Sequence, residues 1–456
     1  LRLPTGAEEA RTRDLFLALY ANSIFMRRVK QDAMWTLMCP NECPNLTEVY
    51  GKDFDELYER YEREGRGREQ VKARDVWYKV LVSQTESGLP YIVYKDHVNE
   101  KNPQANLGTI KSSNLCTEVT LYTSPDEIAV CNLASLCLQQ YMDGKTFDYE
   151  RLGVSVREVV GNLNRVIDKN YYPTEEARRS NFRHRPIGIG VQGLASVFAR
   201  MGLPYESDEA KQVDEWIFEQ IYFSAVEQSM LLAKRDGHYE SYPGSPYSEG
   251  KLQFDLWGKT EEVYANGRIG RERWEKLKND VVLYGMRNST LISPMPTAST
   301  SQICGSFVQA FHPYPSMVYQ RRTMTGDFLM CCPEFVDAME EEGAWTENVR
   351  KQLLIANGRL SHPAVRDLIP KHVSTLFTSV WDMSQKHVIQ HAERRGKFIC
   401  MTQSMELWME EVTTSKLNAM HFYAFGLGLK TGCYYLRSQS KAKALSFAVD
   451  CETCSA

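Results

Sequence analysis

The chain has 456 residues, 43% hydrophobic and 25% charged, which is ordinary for a globular protein and leaves room for roughly two to four domains or one large barrel with additions. A formal net charge of -4 is small for this size and implies no nucleic-acid or other polyanion partner. No apolar run of about 18 residues reads as a membrane span, no basic-then-apolar start reads as a secretory signal, and the 12 cysteines are not spaced as a disulfide framework, so most are expected as reduced thiols in a cytoplasmic setting.

The chain opens at Leu1 rather than Met, which fits a fragment or the product of a split or processed gene. Residues 7–31 read as an amphipathic helix, with Leu15, Leu19, Ile24, Phe25 and Val29 near helical spacing. Cys39 and Cys43 follow in a loop marked by Pro40 and Pro44; a zinc site would need a second pair, and none with suitable spacing lies nearby. The charged run from Asp53 to Arg74 reads as a solvated helix face. From Val76 to Tyr94 the pattern suits a helix passing into a strand, broken at Gly88, Leu89 and Pro90.

The stretch Ser113–Val119 carries the most chemistry. Read as extended chain, it puts Asn114, Cys116 and Glu118 in one row on one face. An amide, a thiol and a carboxylate together offer a hydrogen-bonding group, a sulfur for radical or nucleophilic work, and a proton acceptor. The plain alternative is a strand with a wet polar face and an incidental cysteine. Thr123 to Glu127 has turn chemistry, and Ile128 to Leu133 reads as a buried strand. A hairpin about that turn would set Cys131 opposite Glu118, whereas a slip of one residue would turn it to the other face.

Val156 to Lys169, residues 208–235 and residues 271–279 read as helices. Gly188, Gly190 and Gly193 match the dinucleotide-binding spacing, but the basic, proline-broken run before them does not suit that motif, and close backbone packing at a strand end explains them as well. Thr297, Ala298, Ser299, Thr300 and Ser301, after Pro294 and Pro296, could present hydroxyls and backbone N–H groups to an anion; a plain helix cap is the alternative. His387 and His391 share a helical face within the amphipathic run Trp381 to Arg395, without the glutamate of a zinc-protease motif, and read as a surface or core pair. Tyr434 and Tyr435 are adjacent phenols that serve packing or electron and proton passage. Residues 438–456 read as a mobile tail, and Cys451 and Cys454 on it suit thiol–disulfide exchange.

Taken together, Thr36–Pro44, Asn106–Lys111, Asn114–Glu118, Ala129–Ser135, Arg183–Ala195, Pro294–Gln302 and Lys430–Arg437 resemble the large catalytic subunit of class I ribonucleotide reductase, of the eukaryotic and viral type, over essentially the whole chain. The resemblance implies an α/β fold: part of a ten-stranded barrel with helical additions and a flexible C-terminal tail. Expected divisions are a helical segment over 1–75, barrel strands and helices over 76–330, a helical part over 331–437, and the redox tail over 438–456.

The resemblance also implies roles. Cys116 would become a thiyl radical that takes the ribose 3′ hydrogen, Glu118 would take the 3′-hydroxyl proton, and Asn114 would bind the ribose hydroxyls. Cys131 would be half of the reducing thiol pair. Residues 297–301 would hold the substrate diphosphate. Tyr434 and Tyr435 would relay the radical from a small, metal-containing subunit, with no cofactor bound by this chain directly. Cys451 and Cys454 would re-reduce the active-site disulfide and be served by thioredoxin or glutaredoxin. A homodimer of large subunits and ribonucleoside diphosphate substrates are implied as well.

Three departures stand out. The first barrel strands, most of the nucleotide-effector site and the partner of Cys131 have no counterpart here, so activity is expected only with a complementing N-terminal portion. Residues 306–313 differ from the family's usual acidic stretch, which questions part of the substrate wall. Cys304, Cys332 and Cys433 are extra thiols. An inert homologue acting as a binding or decoy protein is the alternative function, and a thiol-redox protein using only Cys451 and Cys454 a weaker one.

Overall fold

The computed structural model describes residues 15–438; Cys451 and Cys454 therefore lie outside the described residues. Short strands frame the centre: β1 (Ala18–Ala21), β2 (Tyr91–Tyr94), β3 (Asn132–Cys137), β4 (Ile187–Gln192), β5 (Leu407–Met409), β6 (Thr431–Cys433) and β7 (Leu436–Ser438). β2 pairs in parallel with β1 on one side and antiparallel with β6 on the other. β3 and β4 run parallel from Asn132↔Ile187 to Cys137↔Gln192, and Ile189 makes a further parallel bridge to Ile292. β5 and β7 form another parallel pair. Every residue of β2 and β4 is buried, the mark of strands covered on both faces. Among the described residues these pieces do not close into a ring, and the architecture is a partial α/β barrel.

Helices cover the strands: α1 (Ser23–Gln31), α2 (Ala73–Ser87), α3 (Tyr149–Lys169), α4 (Asp208–Asp236), α5 (Thr300–Ile303), α6 (Gln385–Gly396) and α7 (Thr414–Gly426). Most of α4 is buried, polar residues included, because α3, α6 and the helix Arg271–Tyr284 pack against it. Its start is set by Ser207, whose side chain accepts from Ala210 N–H, with Asp208 and Glu209 in the first turn and Lys234 and Arg235 in the last. Of the buried acids on α4, Glu219 accepts only from Trp274 Nε1 and the Arg268 and Ile269 N–H groups, whereas Asp214 meets charged or imidazole partners. Asp214 accepts from Arg395 Nη1 and bonds His391 Nδ1, both at 2.7 Å. His391 thus belongs to the core, while His387 faces Glu206. No helix among the described residues is long and apolar enough to cross a membrane.

Three expectations of local structure are corrected. The helix expected over 7–31 is, within the described part, β1 followed by α1, with Asn22 between them. The spacing of Leu15 and Leu19 suited a helix, but pairing with β2, far along the chain, pulls this segment into a strand. The solvated face expected over Asp53–Arg74 is a helix over Gly51–Arg63 that buries Phe54, Tyr58 and Tyr61, followed by a strand Glu69–Lys72 paired with Met34–Leu37. The strand expected at Ile128–Leu133 starts only at Asn132 and pairs with β4; the turn closes as a single bridge between Ser124 and Glu127 and no hairpin with 113–119 forms.

Gly88 ends α2 with φ of 74°, a conformation that favours glycine. A Cβ there would sit 2.8 Å from the Leu436 carbonyl oxygen, so this glycine also lets the tyrosine-bearing segment lie against the end of α2.

Candidate active site

Residues 113–119 form a tight turn and not the extended row expected. Thr117 N–H donates to Asn114 O at 3.2 Å, the Asn114 side-chain oxygen accepts from Val119 N–H at 3.1 Å, and Ser113 Oγ donates to Val119 O at 2.7 Å. Thr117 adopts φ of 62°, rare for a β-branched residue, and its side chain is fully buried. The surrounding chain holds this conformation from several sides. Ser404 Oγ donates to Cys116 O at 2.6 Å, Ser293 Oγ to Glu118 O at 2.6 Å, Thr402 N–H to Glu118 O at 3.1 Å, and Thr431 Oγ1 to Thr117 O at 3.2 Å.

The turn gathers what the extended row was expected to gather. Glu118 is only 2% exposed and its carboxylate accepts from Ser404 Oγ at 3.2 Å and from the Asn114 amide. All its donors are neutral, so burial wins and pushes its carboxyl above the usual 4.5. Cys116 is half-buried; burial raises its thiol, and the hydrogen bond from Tyr434 only partly opposes this. Tyr434 OH donates to Cys116 Sγ at 3.4 Å.

Cys131 arrives just ahead of β3. Its thiol is raised well above normal by burial first and by the Glu118 charge second, which puts it in the same electrostatic surroundings as Glu118. Gly188 on β4 makes the approach possible: a Cβ there would lie 2.5 Å from Leu133 Cδ2, 2.8 Å from Ser293 Cβ and 3.2 Å from Cys131 Sγ. Gly190 plays the same part beside Met295 and Pro294. The glycines of this strand therefore answer to packing around the site.

Three phenols line up behind Cys116. The Tyr434 and Tyr435 ring centroids are 4.5 Å apart, and Tyr91 of β2 lies 4.9 Å from the first and 5.2 Å from the second. Glu406 is buried, which raises its carboxyl despite Arg437, whose Nη2 donates to it at 2.5 Å; the Arg437 guanidinium also sits 4.7 Å over the Tyr435 ring. Tyr91, Ser293, Ser404 and Glu406 were not expected from sequence. A lone serine in a loop carries no signal, and Tyr91 reads as one more apolar strand residue.

The anion segment begins where the thiol turn is anchored. Ser293 and Pro294 bond to Glu118 and Ser404 respectively, and the chain then runs through Pro296 to Thr297 and α5. Thr297 is buried with φ of 52°, and its Oγ1 accepts from Ala310 N–H at 2.8 Å. Ala298, Ser299 and Thr300 are exposed, whereas Ser301 is buried with its Oγ unbonded among the described residues. Residues 306–313 wall this segment: Ala310 holds Thr297, and His312 is buried against Trp408, with a pKa lowered to about 3 by burial.

The fold and this thiol–carboxylate turn place the chain among α/β-barrel proteins. Residues 1–435 match the family model of the ribonucleotide reductase barrel domain, and the chain belongs to that family. It is 47% identical to the ribonucleoside-diphosphate reductase large subunit of Plasmodium falciparum, over 99% of this chain and 55% of the relative. It is likewise 47% identical to the large subunit of Caenorhabditis elegans, over 99% of this chain and 56% of the relative. The chain thus spans about half the length of these curated relatives. Among solved structures, the Actinobacillus ureae class Id ribonucleotide reductase alpha subunit superposes with a TM-score of 0.64 at 28% identity, over 81% of this chain and 61% of that one.

Proposed function

We propose that this chain is the C-terminal portion of a ribonucleoside-diphosphate reductase large subunit, and that it makes deoxyribonucleoside diphosphates by a thiyl-radical route once an N-terminal portion and a small subunit complete it. The observation that carries this reading is the Tyr434 hydroxyl on the Cys116 sulfur, with Glu118 two residues further along the same turn.

The small subunit's metal centre would supply the oxidising equivalent. This chain's part begins at Tyr435 and Tyr434, whose packed rings suit passage of an electron and a proton to the surface of the turn. A Tyr434 phenoxyl would take the hydrogen of Cys116, leaving a sulfur radical that removes the 3′ hydrogen of the ribose. Such chemistry needs a thiol, not a thiolate, and burial keeps Cys116 protonated at neutral pH. Glu118, with its pKa raised towards the working pH, is suited to take the 3′-hydroxyl proton while Asn114 orients the sugar. The 2′ hydroxyl would leave as water, with Cys131 and a cysteine of the N-terminal portion giving two electrons and ending as a disulfide. Cys116 then returns its hydrogen to C3′. Cys451 and Cys454 would reduce that disulfide and exchange in turn with thioredoxin or glutaredoxin. Residues 297–301 would receive the diphosphate, since Ser299 and Thr300 are exposed and the Ser301 hydroxyl is unbonded among the described residues.

The test is reconstitution of the 456-residue chain with an N-terminal portion and the small subunit, with deoxynucleotide measured from each ribonucleoside diphosphate. Turnover that vanishes with Cys116→Ser is expected. Absence of product from the unaltered complex, with binding of both partners shown, would overturn the proposal.

A further inference from the structure

Two thiols that the proposed reduction does not use meet at the edge of the anion segment. Cys137 ends β3, and its partner across the parallel ladder, Gln192, ends β4. The Gln192 side chain bridges two elements: its amide nitrogen donates to Cys137 Sγ at 2.7 Å, and its oxygen accepts from Thr300 Oγ1 at 3.2 Å. Cys304 caps the other end of α5, and its N–H donates to Thr300 O at 3.0 Å. Thr300 and Cys304 are four residues apart on one turn, so both face the ends of β3 and β4. Gln192 links Cys137 to Thr300, and Cys304 lies one turn beyond Thr300, so the two thiols belong to one cluster. Cys304 is exposed and Cys137 half-buried, an arrangement in which one sulfur meets solvent and the other waits behind it.

We propose that Cys137 and Cys304 are a second thiol–disulfide site, which closes by exchange with a low-molecular-weight disulfide and ties α5 to the ends of β3 and β4. The exposed Cys304 thiolate attacks the small disulfide, forming a mixed disulfide and releasing one small thiol. Cys137 then loses its proton and attacks Cys304 Sγ, expelling the second small thiol. Two protein thiols become one disulfide, and the two electrons and two protons leave on the two small thiols. Reduction by excess thiol runs the same steps backwards. Burial together with the neighbouring Cys304 raises the Cys137 thiol, which fits its place as the resolving sulfur and not the first to react.

Because α5 begins at Thr300, within residues 297–301, closure pins the anion segment. That consequence rests on the reading of the segment given above, whereas formation of the bond does not. The experiment separates the two. The full chain, in a Cys451→Ser, Cys454→Ser background so that the tail cannot exchange, is titrated with mixtures of reduced and oxidised glutathione, and its peptides are mapped by mass spectrometry without reduction. A Cys137–Cys304 linked pair that forms and disappears reversibly with the glutathione ratio is expected, and Cys137→Ala is expected to stop Cys304 at the glutathione adduct. Glutathione remaining on Cys304 in the unaltered pair, or no modification at Cys304 at saturating oxidised glutathione, overturns the proposal. Thermal melting of the Cys137→Ala and Cys304→Ser chains beside the parent shows that any loss of the link is not loss of fold.

Discussion

Glu118 and Asp214 are both buried carboxylates, and they are met by different kinds of partner. Asp214 is met by a guanidinium and an imidazole, each at 2.7 Å, so its charge is answered inside the core. Glu118 is met only by a hydroxyl, an amide and its own backbone N–H, and its pKa rises. Pairing answers the Asp214 charge, because an unpaired buried charge is costly. Glu219 of α4 also has only neutral donors and a raised pKa, so what distinguishes Glu118 is that its unpaired carboxyl shares a turn with the Cys116 thiol. The same contrast applies to sulfur: Cys400 accepts from Leu291 and Ile292 N–H at 3.1 and 3.2 Å, while Cys116 is bonded by a single phenol.

The sharpest break of this contrast is Cys116→Ser in the reconstituted complex. Deoxynucleotide formation is expected to fall below detection while circular dichroism and melting stay near the parent's, since a hydroxyl fits the place but does not yield its hydrogen as a thiol does. Glu118→Gln comes next, with an expected fall of about 10²–10⁴ in kcat, the usual worth of a positioned base. In the unaltered reconstituted complex any kcat should climb with pH through the raised Glu118 pKa as the carboxylate forms, and the variant should lose that limb.

Stability reads the same two groups in the opposite sense. Asp214→Ala strands the buried Arg395 and is expected to cost about 3–5 kcal/mol in urea unfolding. Glu118 binds its proton more tightly folded than unfolded, so its contribution is greatest below the unfolded pKa and is lost as pH rises through the folded value. Glu118→Gln should remove that decline; an unchanged decline would assign it to another group. The smallest effect expected is Gly188→Ala, about 1–3 kcal/mol from overpacking against Leu133 and Ser293, with activity reduced beyond the stability loss if Cys131 is displaced.

What could be read without coordinates was local or repeated. The helices expected at 156–169, 208–235 and 271–279 are present, the first starting earlier at Tyr149 and the last running on to Tyr284, and Gly88 marks its break because only glycine readily takes that backbone angle. Asn114, Cys116, Glu118, Tyr434 and Tyr435 could be singled out by residue type, and the structure brings them close together; the packing role of Gly188 and Gly190 was legible as well.

Pairing over distance was not legible. Residues 113–119 alternate as a strand would, yet Ser293, Ser404 and Thr431 bend them into a turn from positions up to 314 residues away. The hairpin expected for Cys131 gave way to a parallel partner at Ile187–Gln192, which nonetheless leaves Cys131 in reach of the Glu118 charge. The contact between Tyr434 and Cys116 spans 318 residues. Side-chain chemistry and helical period are properties of the residues themselves and their near neighbours, so the amino-acid order determined them. Which backbone bonds to which, and which buried acid goes without a counter-charge, depends on segments that meet only when the chain closes on itself, and only the tertiary structure decided that.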